Sequence, residues 1–135
     1  MKIVKLKFLS FLLVLGLLAA CSLDAPEQSC NFTAQMSTTG VTGPDTAVVN
    51  EPITLQVSFV IANSCGVFSN FHETNGYPKS IVARVNYIGC DCGTTSTTGT
   101  QPYVFKSEQP GEYILRFLTE DTSAPIEKTI TVTAD

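Results

Sequence analysis

From Cys30 onward, apolar residues recur at every second position. Ile53, Leu55, Val57, Phe59 and Ile61 fall on one face of an extended segment, while Thr54, Gln56 and Ser58 fall on the other, which is the alternation of a half-buried strand. The same reading predicts strands near 32–41, 52–62, 66–72, 79–88, 102–107, 112–119 and 126–133, seven in all. Turn-forming residues separate them: Gly43-Pro44-Asp45, Asn50-Glu51-Pro52, Asn63-Ser64, Asn75-Gly76-Tyr77-Pro78, Gln109-Pro110-Gly111 and the stretch from Thr119 to Pro125. Beyond the N-terminal segment, no long run carries helical spacing. Short strands with a turn every eight to twelve residues or so predict an all-β protein, a single antiparallel β-sandwich spanning 30–135.

The N-terminus follows another pattern. Lys2, Lys5 and Lys7 precede an apolar run that begins near Phe8 and ends in small residues, the arrangement of an export signal. The run from 8 to 20 is short for a spanning helix, which needs about 20 apolar residues, so no transmembrane segment is predicted. Leu18-Ala19-Ala20-Cys21 resembles the lipobox of a bacterial lipoprotein. That resemblance implies removal of residues 1–20, diacylation of Cys21 on its sulfur, and a lipidated N-terminus and tether over 21–29. Membrane attachment would then come from the acyl chains. Ser22, standing where retention in the inner membrane of enteric bacteria uses Asp, is similar to outer-membrane lipoproteins, so the expected address is the cell envelope, at the outer membrane.

Removing the signal changes the charge. Three of the eight Lys and Arg lie within it, leaving five against twelve Asp and Glu, a net charge of −7. A surface this acidic, without basic clusters, argues against nucleic acid and against electrostatic docking on anionic lipid, because both need cations to neutralise phosphate. What remains is the length of one domain, with enough chain for a core.

Four cysteines follow Cys21: Cys30, Cys65, Cys90 and Cys92. An even number in an oxidising compartment predicts two disulfides. If consecutive strands alternate in direction, Cys30 before the first strand, Cys65 after the second and Cys90 and Cys92 after the fourth share one pole with the loop 93–101 and the turn 119–125. Bridging requires Cα atoms within about 7 Å. The favoured pattern joins Cys65 to Cys90 or Cys92 and gives Cys30 the other, and a Cys90–Cys92 ring ranks last because it is tight. The alternative is a periplasmic thiol or metal-binding protein, in which Cys65, Cys90 and Cys92, with His72, form a soft thiolate site for zinc or cuprous copper. Redox exchange would need a cation beside the thiols, and nothing basic adjoins Cys90 or Cys92.

Pro110-Gly111-Glu112-Tyr113-Ile114-Leu115, a turn leading into a strand with Tyr two residues after Gly, looks like the penultimate strand of bacterial immunoglobulin-like and fibronectin-type modules. In those modules the Tyr hydroxyl returns to the backbone of the preceding corner. Val41-Thr42-Gly43-Pro44 followed by Glu51-Pro52-Ile53-Thr54-Leu55 is similar to their first two strands, and the resemblance covers roughly 35–134. It departs in having no mid-strand Cys pair suited to an inter-sheet bridge and no Trp. It implies an immunoglobulin-like fold and carries no function.

The remaining candidates are few. His72, the one histidine, stands beside Glu73, a pairing that could serve acid–base chemistry. No nucleophile or two-His zinc motif accompanies it, so no catalytic residue and no cofactor are predicted. Among the aromatic residues, Tyr77 and Tyr103, each next to a Pro near a turn, are the candidates for an exposed sugar-stacking or partner-binding surface. Gly93–Thr100 reads as a low-complexity polar loop, mobile or forming a contact surface. Asp45-Thr46-Ala47 resembles the O-glycosylation signal of Bacteroides-type bacteria. Taken together, the expectation is a lipid-anchored, non-catalytic envelope module that presents loops to a protein or glycan partner.

Overall fold

The alternation at 53–61 is realised in a strand whose Leu55, Val57 and Phe59 are completely buried, while Thr54 and Gln56 face solvent. The structure, a computed structural model, describes residues 30–134; residues 1–29, including the signal-like segment, Cys21 and the tether, lie outside the described residues, as does Asp135. The described chain is all β, with no helix. It forms nine strands: β1 (Phe32–Met36), β2 (Thr38–Thr42), β3 (Thr46–Val48), β4 (Ile53–Ile61), β5 (Gly66–Glu73), β6 (Lys79–Tyr87), β7 (Thr97–Phe105), β8 (Gly111–Phe117) and β9 (Ile126–Thr133).

The strands build two sheets, β2-β4-β7 and a six-stranded sheet ordered β1-β6-β8-β9-β3 with β5 also on β6. In the larger sheet, β5 pairs along one edge of β6 from Ile81 to Tyr87. The other edge is shared, with β1 taking Ala83–Tyr87 and β8 taking Lys79–Ile81. The faces turned toward each other carry the core. Leu55, Val57, Tyr103 and Phe105 of the small sheet pack with Ile81, Leu115, Phe117, Ile130 and Val132 of the large one. A second cluster of Phe59, Ala83, Val85 and Tyr87, with Phe68 and Met36 against it, fills the other end.

Three expectations change. The segment 32–41 is two strands, because the chain leaves β6 after Met36 and joins β4 from Thr38, the Thr38 N–H bonding the Leu118 carbonyl at 2.8 Å during the crossing. Hydrophobic alternation does not register a change of sheet that keeps the chain's direction. The three-residue β3 is too short to show a period. Strand β7 begins at Thr97 rather than 102, so half of the supposed polar loop 93–100 is sheet: Thr97, Thr98, Gly99 and Thr100 pair with Ile61, Val60, Phe59 and Ser58. Threonine suits a strand, and these residues escape notice only because the positions between them are not apolar.

The directions also differ from strict alternation. β6 and β8 pair in parallel, as do β3 and β9. Both β3 and β8 follow strands of the opposite sheet, so crossing connections set their direction and no hairpin forces an antiparallel partner.

Gly66, the first residue of β5, sits where a Cβ would collide with the Ile61 side chain and come within 2.9 Å of the Tyr87 ring. Overpacking of this kind costs about 1–3 kcal/mol. Gly66→Ala is therefore expected to lower stability by that amount, read as a drop in the urea midpoint with an unchanged m-value.

Candidate functional site

Strand register gives the sandwich two distinct poles. The start of β1, the start of β5 and the end of β6 align at Phe32, Gly66 and Tyr87, and the end of β4 aligns with the start of β7. Residues 30–31, 62–65 and 88–96 therefore gather at one pole, with all four cysteines. The turns 43–45, 49–52, 74–78 and 106–110 gather at the other. The turn 119–125, expected beside the cysteines, lies lower: Thr119 and Thr122 border a pocket of about 150 Å³ with Gln35, Met36 and Val82. The cause is that β8 stops beside Ile81, where β1 already occupies the rest of that edge.

At the first pole the bonds are Cys30–Cys90, with Cα atoms 5.0 Å apart, and Cys65–Cys92, at 5.4 Å. They tie the two neighbours of β6 to the loop that leaves it. Backbone groups around them are satisfied locally. Gly89 N–H donates to Asn31 Oδ1 at 2.9 Å, Gly93 N–H to the Ser64 hydroxyl at 2.8 Å, and Cys65 N–H to Asn63 Oδ1 at 3.0 Å. Tyr87 locks the base of the knot: its hydroxyl accepts from Ala62 N–H at 2.9 Å and donates to the Met36 sulfur at 3.4 Å, and its ring stacks on Phe32 at 4.9 Å.

This arrangement bears on the thiolate alternative. A disulfide sulfur is not the anionic ligand that zinc or cuprous copper takes, so such a site would require both bonds to be reduced. Among the described residues no group of three or more His, Cys, Asp or Glu is placed to hold a metal ion. His72 pairs with Val82, six residues along β5 from Gly66, about 20 Å from the cysteine pole at strand rise. Nor do His72 and Glu73 act together, because adjacent strand residues face opposite sides of the sheet.

The second pole holds the two tyrosines singled out from sequence, and it separates them. Tyr77, preceding Pro78 across a cis peptide bond, is 44% exposed. Its ring meets Tyr113 edge-on at 4.8 Å, and the Lys79 ammonium lies 5.3 Å from its centroid, within cation–π range. Tyr103, by contrast, belongs to the core at 7% exposure, its ring edge-on to both Phe71 and Phe117. It offers no face to a ligand, which corrects the expectation that it contributes to a surface. Alternation placed it at an inward position of β7, and Pro102 before it marks the middle of a strand rather than a turn.

The Tyr103 hydroxyl donates to Glu73 Oε2 at 2.6 Å, and the same carboxylate oxygen lies 3.3 Å from Lys79 Nζ. Tyr113 completes the pole: its hydroxyl donates to the Gln109 carbonyl at 2.9 Å and accepts from Ser107 at 2.7 Å, the return to the preceding corner that the resemblance implies for it. Lys79 and Glu73 were not singled out from sequence as parts of this site, whereas Tyr113 was marked there by the Pro110-Gly111 turn before it. Their only signal is that Tyr77 and Lys79 flank the same turn. The arrangement supplies one exposed aromatic edge with an ion pair beside it, suited to stacking and hydrogen bonding.

No family model, curated protein or solved structure matches this chain.

Two outcomes follow from these poles. In the chain-entropy picture, closing 27 residues through Cys65–Cys92 and 60 through Cys30–Cys90 contributes about 3.5 and about 4 kcal/mol respectively. Paired Cys→Ser replacement of either bond should therefore lower unfolding stability by several kcal/mol, more for Cys30–Cys90, as measured by denaturant titration. The second outcome concerns pH. Burial first, and then the hydrogen bond to Glu73, raise the Tyr103 hydroxyl well above its ordinary value of 10.0. The unfolded chain would ionise this group above about pH 10 while the folded chain holds the proton. Stability from this residue is thus present below pH 10 and lost as pH rises beyond it. Tyr103→Phe should flatten that alkaline decline in denaturation midpoint.

Proposed function

We propose that this protein is a lipid-anchored, non-catalytic module of the bacterial cell envelope, at the outer membrane, that presents the Tyr77 pole to a protein or glycan partner. The observation that carries this reading is the place of Cys30 in the fold. Cys30 emerges at the cysteine pole and is bonded there to Cys90, so a lipid on Cys21 would hold that pole toward the membrane and leave the turns around Tyr77 facing outward. Disulfides suit an exported chain. An immunoglobulin-like type for the sandwich is part of the proposal. It is supported by the Tyr113–Gln109 corner and by β3 running along β9 at the sheet's edge.

Tyr is among the side chains enriched as interface anchors. The test is a photo-crosslinking residue placed at Tyr77 or, as a control, at Val67, which is also exposed but lies at the cysteine pole. A discrete adduct with one protein or one polysaccharide is expected from position 77 only. Tyr77→Ala should weaken binding to the identified partner about tenfold, the effect of losing one anchor of about 1.4 kcal/mol. Equal labelling from both positions, or none from either in folded protein, rejects the Tyr77 pole as the presented surface.

A further inference from the structure

We infer that the cysteine pole is a lipid-contacting surface, seated on the membrane interface by Phe32, Val67 and Ile88. The inference rests on the anchored reading above and adds an orientation and a contact to it.

The three side chains are 56%, 60% and 61% exposed and account for three of the five large exposed apolar residues among those described. All lie within one residue of the last rung of one sheet. Phe32 lies opposite Tyr87, Val67 lies opposite Asn86, and Ile88 follows Tyr87 directly. Val67 and Ile88 share the outer face as diagonal neighbours, about 7–8 Å apart between backbones. Phe32 points the other way, past the end of the core, so the apolar groups form a rim around the tip of the sheet. Asn86, between them, has its side-chain oxygen engaged by the Thr33 hydroxyl at 2.7 Å. An open groove of about 330 Å³ runs along this edge, lined by Asn31, Phe32, Thr33, Asn86, Tyr87 and Ile88.

Charge selects the occupant. The last three rungs of this pole and the loops beyond them, 30–34, 61–68 and 85–97, contain a single charged residue, Asp91, and the next rung inward adds Arg84. Every other described Asp, Glu, Lys and Arg lies elsewhere, in a chain whose processed form carries −7. The nearest acidic cluster, Glu120 and Asp121, belongs to the turn beside Val82, about 17 Å down the sheet from Tyr87 at strand rise. A nearly uncharged tip with aromatic and aliphatic side chains meets an interface without desolvating charge, and aromatic residues favour the headgroup level. The length of chain outside the described residues keeps it there. From Cys21 to Cys30 is nine residues, a reach of about 30 Å when fully extended, and it ends at the rim itself.

The chain contains no Trp, so Ile88→Trp, Val67→Trp and Val104→Trp each carry one reporter. The full chain, purified from membranes, is reconstituted into vesicles of phosphatidylethanolamine and phosphatidylglycerol whose acyl chains are brominated near the headgroup. Mass spectrometry of each variant establishes acylation of Cys21 and two intact disulfides. The expected result is strong quenching and a blue shift for Ile88→Trp and Val67→Trp, and neither for Val104→Trp. Acylated, disulfide-bonded protein in which positions 67 and 88 are no more quenched than 104 overturns the lipid contact and leaves the anchor standing. An unacylated Cys21 overturns both. Unquenched reporters in a protein that sediments as a dimer assign the rim to a second copy, which also overturns the lipid contact.

Discussion

The far end of β6 is the point on which the rest of this sandwich depends. Tyr87 is paired on one side with Phe32 and on the other with Gly66, and its hydroxyl holds the turn after β4 through Ala62. One side chain thus fixes the relative positions of β1, β4, β5 and β6, which belong to both sheets. The alignment also brings the cysteines together. Because β1 and β5 occupy opposite edges of β6, the residues preceding them, Cys30 and Cys65, flank the exit loop, and each finds its own sulfur in that loop. The bonds then retain an edge strand, β1, that has only five residues of ladder to hold it. Such a short strand at a shared edge would otherwise be the first to fray.

The same geometry explains what could and could not be read from the residues. The long alternating strands, β4, β6, β8 and β9, were legible because each keeps one face in the core for its whole length. β1 and β2 merged, since a chain that switches sheets without turning leaves its period almost undisturbed. The start of β7 was hidden because Thr97–Thr100 replace apolar residues with threonine and glycine on an edge strand, where the ladder rather than burial holds the segment. Convergence of the cysteines followed from strand parity despite the miscounted strands, because the switch at Ser37 preserves direction. The choice between Cys90 and Cys92 was not legible, since it turns on which edge of β6 each neighbour takes, a tertiary fact with no local trace.

The candidate surface shows the same division. Tyr77 and Tyr103 look alike in sequence, each beside a proline, yet one closes a turn and the other sits at an inward rung of β7. Inward position outweighs the adjacent proline because Pro102 is accommodated on an outer edge, where its missing N–H costs no ladder bond. Glu73 is equally instructive. It reads as a companion of His72, but the two-residue period turns it to the other face, where it accepts from Tyr103 and pairs with Lys79.

The two poles differ in how they satisfy their polar groups, and that difference bears on orientation. At the Tyr77 pole, side-chain hydroxyls, a carboxylate and an ammonium interact with one another and with solvent, in turns that carry Asp45, Glu51, Lys106 and Glu108. At the cysteine pole, the side chains of Asn31, Asn63 and Ser64 are turned back onto backbone N–H groups, and covalent bonds take the place that charged loops occupy elsewhere. A tip with one charged residue, Asp91, gives up little charge hydration at an interface, while its exposed Phe32, Val67 and Ile88 have apolar area to bury. Under the anchoring proposed above, apolar preference and a lipid on Cys21 would draw the same end of the molecule toward the membrane, and the charged pole would be left open to a partner.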